Sequence, residues 1–111
     1  MPHSPAQMLA LVADVDTYPK FIPHCERMDV RRDAARPNEK FDARMHIRFG
    51  PISQAYTSRI VVDSDAMTLR AKAVDGLFRH LDSTWRFIED GQGTAIVFDI
   101  DFKIANPLIR S

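Results

Sequence analysis

Residues 40–49, KFDARMHIRF, alternate apolar and polar side chains at every position. The apolar members are Phe41, Ala43, Met45, Ile47 and Phe49, and the polar members are Lys40, Asp42, Arg44, His46 and Arg48. Successive side chains of a β-strand point to opposite faces, so this period of two predicts a strand with one dry and one wet face. Such a strand is typical of an antiparallel sheet that is covered on one side.

Later segments repeat the same alternation between turn signals. Gly50 and Pro51 end the first strand, a second follows over Ile52 to Val62, and a turn is expected at residues 63–65. The dry face continues through Met67, Leu69, Ala71 and Ala73, then through Leu81, Ser83, Trp85 and Phe87, and finally through Ile96, Phe98, Ile100, Phe102 and Ile104. The glycine-marked stretch EDGQG predicts a hairpin turn. The pattern therefore predicts about six antiparallel strands.

A helix is expected ahead of these strands. Ser4, Pro5 and Gln7 form the pattern of an N-cap, a first-turn proline and a capping-box partner, so we predict a helix over about residues 5 to 14.

The stretch DVDTYPKFIPHC, residues 14–25, predicts a second, shorter helix. Asp16 is a candidate N-cap, Tyr18, Phe21 and Ile22 would share one face, and Pro23 would end the helix. We interpret residues 14–25 as a stiff, lid-like turn that closes one end of the concave sheet. The more specific alternative is that this turn gates access to the concave face.

Composition limits the function classes. The chain has 111 residues, 45% of them hydrophobic, and a formal net charge of +0, which is typical of one soluble globular domain. A single cysteine excludes an internal disulfide and favours a reducing compartment. No apolar run approaches the roughly 20 residues that cross a bilayer. Balanced, interleaved charges supply no field that attracts DNA or acidic lipid.

The last residues predict the start of another helix. Asn106 followed by Pro107 resembles the helix start at Ser4, yet the sequence ends at Ser111. We therefore expect a C-terminal helix that is truncated or absent in this chain.

Three stretches together indicate a family. They are HSPAQMLALVADVDTYPKFIPHC, YTSRIVVD and DGLFRHLDSTWRFIEDGQGTAIVFDIDF. They contain Asp-x-x-x-Tyr-Pro-x-Phe-x-Pro and, later, Gly-x-Phe-Arg-x-Leu-x-x-x-Trp-x-Phe. In this order, from His3 to Ile109, the chain resembles the coenzyme Q-binding protein family of the START-like, polyketide cyclase and lipid transport superfamily.

The resemblance implies an α+β helix-grip fold, in which a curved antiparallel sheet wraps around a long C-terminal helix and encloses an apolar cavity. Residues 1–111 would form a single domain of this kind, with two short N-terminal helices. Family members begin with a strand ahead of the capping box and finish with the long helix. The resemblance thus implies that both elements are missing here.

The resemblance also implies a function. The expected ligand is ubiquinone or another polyprenyl or acyl lipid, held without catalysis and without a cofactor, in support of respiratory electron transport or ubiquinone biosynthesis. The expected location is the cytoplasm, with peripheral contact to the inner membrane. Two alternatives stay open: a ribosome association toxin acting on the large ribosomal subunit, and a cyclase-type enzyme.

Six residues are candidates for binding the ligand. They are Tyr18, Phe21, Phe49, Phe78, Arg79 and Trp85. A bend at Gly76 would deliver Phe78 and Arg79 to one end of the sheet, where Arg79 could form a charge-assisted bond to a quinone oxygen or a lipid phosphate. Any single aromatic side chain in this set could instead belong to an ordinary core.

Catalytic and metal sites are not expected. His24 and Cys25 are adjacent in an extended segment, so their side chains would point to opposite faces. His3, His46 and His80 are scattered without the spacing of metal ligands.

Two groups of charged residues have alternative interpretations. Asp99 and Asp101 would lie roughly 7 Å apart on one strand face, a separation that glycosidases use for their paired carboxylates. That face is the wet one, however, because the apolar residues of the strand occupy the other. This favours cross-strand pairing with arginines such as Arg59 or Arg86. The basic cluster of Arg27, Arg31, Arg32 and Arg36 could contact RNA or phospholipid head groups. Its default interpretation is a solvated edge strand.

An uncovered dry face would have a consequence for assembly. Without a C-terminal helix, the apolar side of the sheet exceeds what a soluble monomer usually exposes. We therefore expect the 111-residue chain to form a homo-oligomer.

Overall fold

The computed structural model describes residues 3–76 and 78–104, and its first element is helix α1, Pro5–Ala13. Ser4 caps this helix as predicted: its Oγ accepts a hydrogen bond from the Gln7 backbone, and Gln7 Oε1 accepts one from the Ser4 backbone. This reciprocal pair satisfies two amide groups that the first helical turn leaves without partners.

The second helix is a 3₁₀ helix, Val15–Lys20. The prediction that Asp16 caps it was wrong, because Asp14 occupies the N-cap position and makes no side-chain capping bond. The Asp16 carboxylate instead lies 2.8 Å from the guanidinium of Arg32. A long-range ion pair therefore replaces the local cap that the sequence suggested.

Six antiparallel strands follow, as predicted, and they form one sheet in which the strands lie in chain order. They are β1 (Cys25–Arg32), β2 (Lys40–Phe49), β3 (Ile52–Asp63), β4 (Thr68–Gly76), β5 (Phe78–Glu89) and β6 (Thr94–Ile104). Each strand pairs with its neighbour in sequence, so β1 and β6 are the edges among the described residues. The helix start predicted at Asn106 and Pro107 lies outside the described residues.

Irregularities in the strand pairing bend the sheet. The register shifts by one residue where Thr57 and Ser58 of β3 face Asp75 and Ala73, so Val74 of β4 has no opposite partner on β3. Further shifts occur in β1 near Cys25 and in β5 near Phe78. An extra residue in one strand increases local twist and curvature, which gives the sheet a concave and a convex face.

The concave face carries the apolar residues of the alternating pattern. Helix α1 covers one end of it, where Met8 and Leu9 pack with Phe41 and Phe87 in the buried core. Toward β6 the same face is open: Ile96, Phe98, Ile100 and Phe102 are all exposed. Neither helix of the described residues is long and apolar enough to cross a membrane.

Candidate functional site

A cavity of about 200 Å³ lies in the concave face. The 3₁₀ helix and the sheet contribute its lining: Val15, Tyr18, Met28, Ala43, Met45, Tyr56, Ser58, Ile60, Leu69, Ala71, Phe78, Leu81, Ser83, Trp85, Phe98 and Ile100. None of these residues carries an ionisable carboxylate, amine, guanidinium or imidazole. The surroundings can therefore accept an apolar, uncharged group.

Small side chains create the hollow. Ala43 of β2 pairs with Ser58 of β3, which pairs with Ala73 of β4. One row along the sheet, Ala71 pairs with Ser83 of β5. These five neighbouring positions carry side chains of one or two heavy atoms. They therefore leave a depression at the centre of the concave face, surrounded by larger side chains.

Aromatic rings border this hollow on the side of β5 and β6. The Phe78 ring meets Tyr56 edge-on at a centroid distance of 4.8 Å, and it contacts Phe102 in the same manner at 5.8 Å. Trp85 lies 4.4 Å from Phe98 between ring centroids. Such pairs fix the positions of large apolar side chains and add to the free energy of their burial.

The two tyrosines of the lining stay neutral at ordinary pH. Burial, with smaller contributions from Tyr56 and Asp14, raises the pKa of Tyr18 to about 12, and its hydroxyl donates to the Val12 carbonyl. Burial also raises the pKa of Tyr56, whose hydroxyl donates only to the Met45 sulfur, at 3.7 Å. Neither phenol is poised to act as a base.

Three of the six predicted ligand-binding residues come together in this cavity. Tyr18, Phe78 and Trp85 are all part of the lining. Their role in binding stays a prediction, but the structure brings them to the same hollow from the 3₁₀ helix and from β5.

The other three predicted residues lie outside the lining. Phe21 follows the 3₁₀ helix and is 66% exposed. Phe49 is at the end of β2, 54% exposed, with its ring stacked on His24 at 4.1 Å. Arg79 is exposed and sits at the register shift of β5, where His80 and Phe78 are paired with β6 and Arg79 is not.

Sequence reasoning did not assign Tyr56 and Ser58 to the site. Both occur in the segment YTSRIVVD, at dry positions of β3 where a purely structural strand would carry aliphatic residues. The hydroxyl groups of these two residues, at positions where the pattern expects apolar side chains, were the sequence signal that could have indicated the site.

His24 and Cys25 do not form a catalytic pair. His24 is exposed and its Nδ1 lies 3.1 Å from the Arg48 carbonyl oxygen, whereas Cys25 is buried. Burial raises the pKa of the Cys25 thiol, which disfavours the nucleophilic thiolate. Over residues 3–76 and 78–104, no three histidine, cysteine, aspartate or glutamate side chains are grouped closely enough to hold a metal.

The convex face is an array of ion pairs. Asp99 pairs with Arg86 at 3.3 Å, as predicted, whereas Arg59 pairs with Asp42 at 3.2 Å. Asp101 lies 3.2 Å from the Nε2 of His80. The two aspartates of β6 therefore have separate cross-strand partners and do not form a hydrolytic pair.

The basic cluster is divided in the structure. Arg27 contacts Asp29 at 3.2 Å, and Arg32 contacts Asp16 while its guanidinium lies 4.7 Å from the Phe41 ring centroid. Arg31 and Arg36 are exposed side chains. Two of the four arginines thus have structural partners.

Comparison with known proteins identifies the family of this chain and several proteins that are similar to it. Residues 1–111 match the family described as polyketide cyclase / dehydrase and lipid transport. The chain is 30% identical over 112 aligned residues to the ribosome association toxin RatA of Rickettsia prowazekii, with 98% of this chain and 75% of the relative covered. It is 28% identical to the mitochondrial coenzyme Q-binding protein coq10 of Schizosaccharomyces pombe, covering 97% of this chain and 67% of that protein.

Solved structures show the same fold. A Thermus thermophilus protein, TTHA0849, superimposes with a TM-score of 0.83 at 18% identity, covering 97% of this chain and 72% of that one. At this identity the likeness concerns the fold alone.

Proposed function

Because the chain belongs to the polyketide cyclase / dehydrase and lipid transport family, we propose that its concave cavity binds a neutral polyprenyl lipid, with ubiquinone as the best candidate. The observation that carries this proposal is the lining itself, which is apolar and aromatic, with hydroxyl groups as its main polar side-chain groups. Ligand pockets commonly combine an apolar wall with a few polar groups that fix orientation. The relative named as a coenzyme Q-binding protein supports the same choice.

The uncharged lining favours a neutral head group over an anionic one. Burying a carboxylate or phosphate without a partner costs far more than burying a carbonyl that accepts a hydrogen bond. A quinone places two carbonyl oxygens on an apolar ring, whereas a fatty acid or phospholipid would bring a charge. Among neutral lipids, a ring-bearing head also matches the aromatic border formed by Tyr56, Phe78 and Trp85.

The same lining supports binding without catalysis. A cyclase needs an acid or a base that converges on the substrate, and burial raises the pKa values of both lining tyrosines. We propose that the protein carries its lipid without converting it chemically, and that it acts in the cytoplasm with peripheral contact to the membrane that supplies the lipid.

Trp85 provides the test. It is the single tryptophan of the chain and it lines the cavity. A short-chain ubiquinone should quench its fluorescence in a saturable manner, and native mass spectrometry should detect a 1:1 complex. A fatty acid of similar length should compete poorly. If no quinone binds and no lipid copurifies with the protein, the proposal is wrong.

A second candidate is association with the ribosome. The observation in its favour is the 30% identity to a protein named as a ribosome association toxin. Against it, several cations of the convex face are already neutralised, such as Arg44 by Asp75 at 2.9 Å and Arg59 by Asp42. Salt-dependent cosedimentation with ribosomes that is lost in Arg31→Glu and Arg36→Glu variants would favour this alternative. These two positions are preferable to Arg32, whose replacement would also break its contacts with Asp16 and Phe41.

A further inference from the structure

Ser58 differs from the other hydroxyl-bearing residues of the cavity. As a residue it is only 6% exposed, and its hydroxyl makes no hydrogen bond to another residue of the described chain. Every fully inaccessible side-chain oxygen or nitrogen of the described residues does have a partner, so the Ser58 Oγ must reach the cavity surface. A hydroxyl that reaches the cavity and has no partner in the protein is a donor available to a bound molecule.

The neighbouring hydroxyls are occupied. Tyr18 donates to the Val12 carbonyl, and Ser83 donates to the Ala71 carbonyl at 3.4 Å. Tyr56 has only the weak sulfur acceptor of Met45. Ser58 is thus the lining hydroxyl that has the most to gain from a ligand oxygen.

The position of Ser58 makes it accessible to a flat group. Its cross-strand neighbours are Ala43 and Ala73, whose methyl groups leave the hydroxyl unshielded. The cavity volume of about 200 Å³ is below the roughly 300–1,000 Å³ typical of a pocket for a drug-sized ligand. It suits a single-ring head group better than a head group together with a long tail.

We propose that Ser58 is the specificity-determining residue of the cavity and donates a hydrogen bond to a carbonyl oxygen of the ligand head group. This inference rests on the proposed lipid-binding function and goes beyond it by assigning the orientation: the ring lies in the hollow over Ala43, Ser58 and Ala73. The isoprenoid tail then extends toward the exposed apolar residues of β6. Selection among lipids follows from the head, since any apolar tail can contact Phe98 and Ile100.

The test compares Ser58→Ala with Ser53→Ala, an exposed serine on the same strand. The two probes are a ubiquinone with one isoprene unit and a prenylbenzene that carries the same methoxy and methyl substituents but no carbonyl. Ser58→Ala should weaken quinone binding about fivefold, the loss expected for one hydrogen bond, and leave prenylbenzene binding unchanged. Ser53→Ala should bind both probes as the wild type does.

Two further measurements distinguish a role of Ser58 in binding the quinone from a role in stabilising the fold. The infrared carbonyl band of the bound quinone should shift to higher frequency in Ser58→Ala, because the hydrogen bond that lowers it is gone. The melting temperature of the ligand-free variant should be unchanged, because the Ser58 hydroxyl makes no hydrogen bond within the described chain that its removal would break.

The outcomes distinguish this inference from the proposed function. If the wild type binds neither probe, the lipid-binding proposal itself fails. If the wild type binds the quinone and Ser58→Ala binds it equally well with the same carbonyl band, only the role of Ser58 is overturned. Equal weakening of both probes would indicate altered packing and would likewise overturn it.

Discussion

Gly76 is a residue at which the backbone leaves no room for a side chain. Its φ is +100°, and a Cβ atom there would lie 2.3 Å from the Ala55 carbonyl oxygen and 2.6 Å from the Tyr56 Cα. Both neighbours are backbone atoms that cannot rotate away. We expect Gly76→Ala to lower the free energy of unfolding by roughly 2–4 kcal/mol, measured by urea denaturation.

Gly91 is the matched control for this prediction. It also has a positive φ, +86°, but nothing lies within 4 Å of a Cβ atom at that position. Gly91→Ala should therefore cost only the conformational penalty, about 1 kcal/mol. Equal losses in the two variants would contradict the role of the close approach at Gly76.

The raised pKa of Tyr18 predicts that the free energy of unfolding decreases at alkaline pH. The fold raises its pKa to about 12, above the ordinary value of 10, so the folded state binds the phenolic proton more tightly than the unfolded state. The corresponding stabilisation is complete below pH 10 and disappears as the pH rises toward 12. It should amount to roughly 1–2 kcal/mol, because the partial exposure of the ring reduces the effect.

Tyr18→Phe isolates this effect from the titration of lysines. Its unfolding free energy should fall less steeply between pH 10 and 12 than that of the wild type, when both are followed by urea denaturation. The variant should also be less stable at neutral pH, since Tyr18 donates to the Val12 carbonyl. Parallel pH profiles would show that the phenol is not shielded from water.

At the scale of elements, helix α1 depends on its N-terminal cap. Ser4 and Gln7 exchange two hydrogen bonds, and the helix covers Phe41 and Phe87 on the sheet. Ser4→Ala should reduce the free energy of unfolding by about 1 kcal/mol in thermal or urea denaturation. Ser64→Ala, in the exposed turn between β3 and β4, is the control and should change it little. A loss no greater than that of the control would mean that packing alone holds the helix.

Elements that depend on residues close together in the sequence were predicted correctly, whereas features that depend on distant residues were not. The capping box at Ser4 and the strand predicted over residues 40–49 rest on local patterns, and both were confirmed, although the dry-face residue Phe49 is exposed. The second helix was predicted with the wrong cap because Asp16 binds Arg32, a partner 16 residues away that local rules do not reveal. Likewise, the hydroxyl of Ser58 at a dry-face position was visible in the sequence, but its small cross-strand neighbours Ala43 and Ala73 became known only from the register.

At the scale of the whole molecule, the alternation of apolar and polar residues predicted which face of the sheet a side chain occupies. It did not predict which parts of that face other elements cover. Phe41 and Phe102 both belong to the dry pattern, yet Phe41 is buried in the core cluster that includes Met8 and Leu9 of α1, and Phe102 is 51% exposed. The difference arises from where α1 packs, which is a property of the assembled sheet. The candidate cavity lies between these covered and open parts of the concave face.

The open part of the concave face predicts self-association of the 111-residue polypeptide. Phe102 and its neighbours on β6 form an exposed apolar surface beside a strand edge that, within the described residues, pairs only with β5. Exposed apolar surface and an open edge both favour contact with an identical molecule. Sedimentation velocity should show a dimer or larger species that increases with protein concentration.

A pair of lysine substitutions tests whether the concave face is responsible. Phe102→Lys should shift the polypeptide toward monomer, because it places a charge in the apolar contact. Ile88→Lys is the control, since Ile88 is 50% exposed, nearly the same as Phe102, but alternates with buried Phe87 and so lies on the opposite face of the sheet. A short-chain ubiquinone should also reduce association if its tail occupies the same surface. A monomer at every accessible concentration, or an equal response to the two substitutions, would show that this face does not mediate assembly.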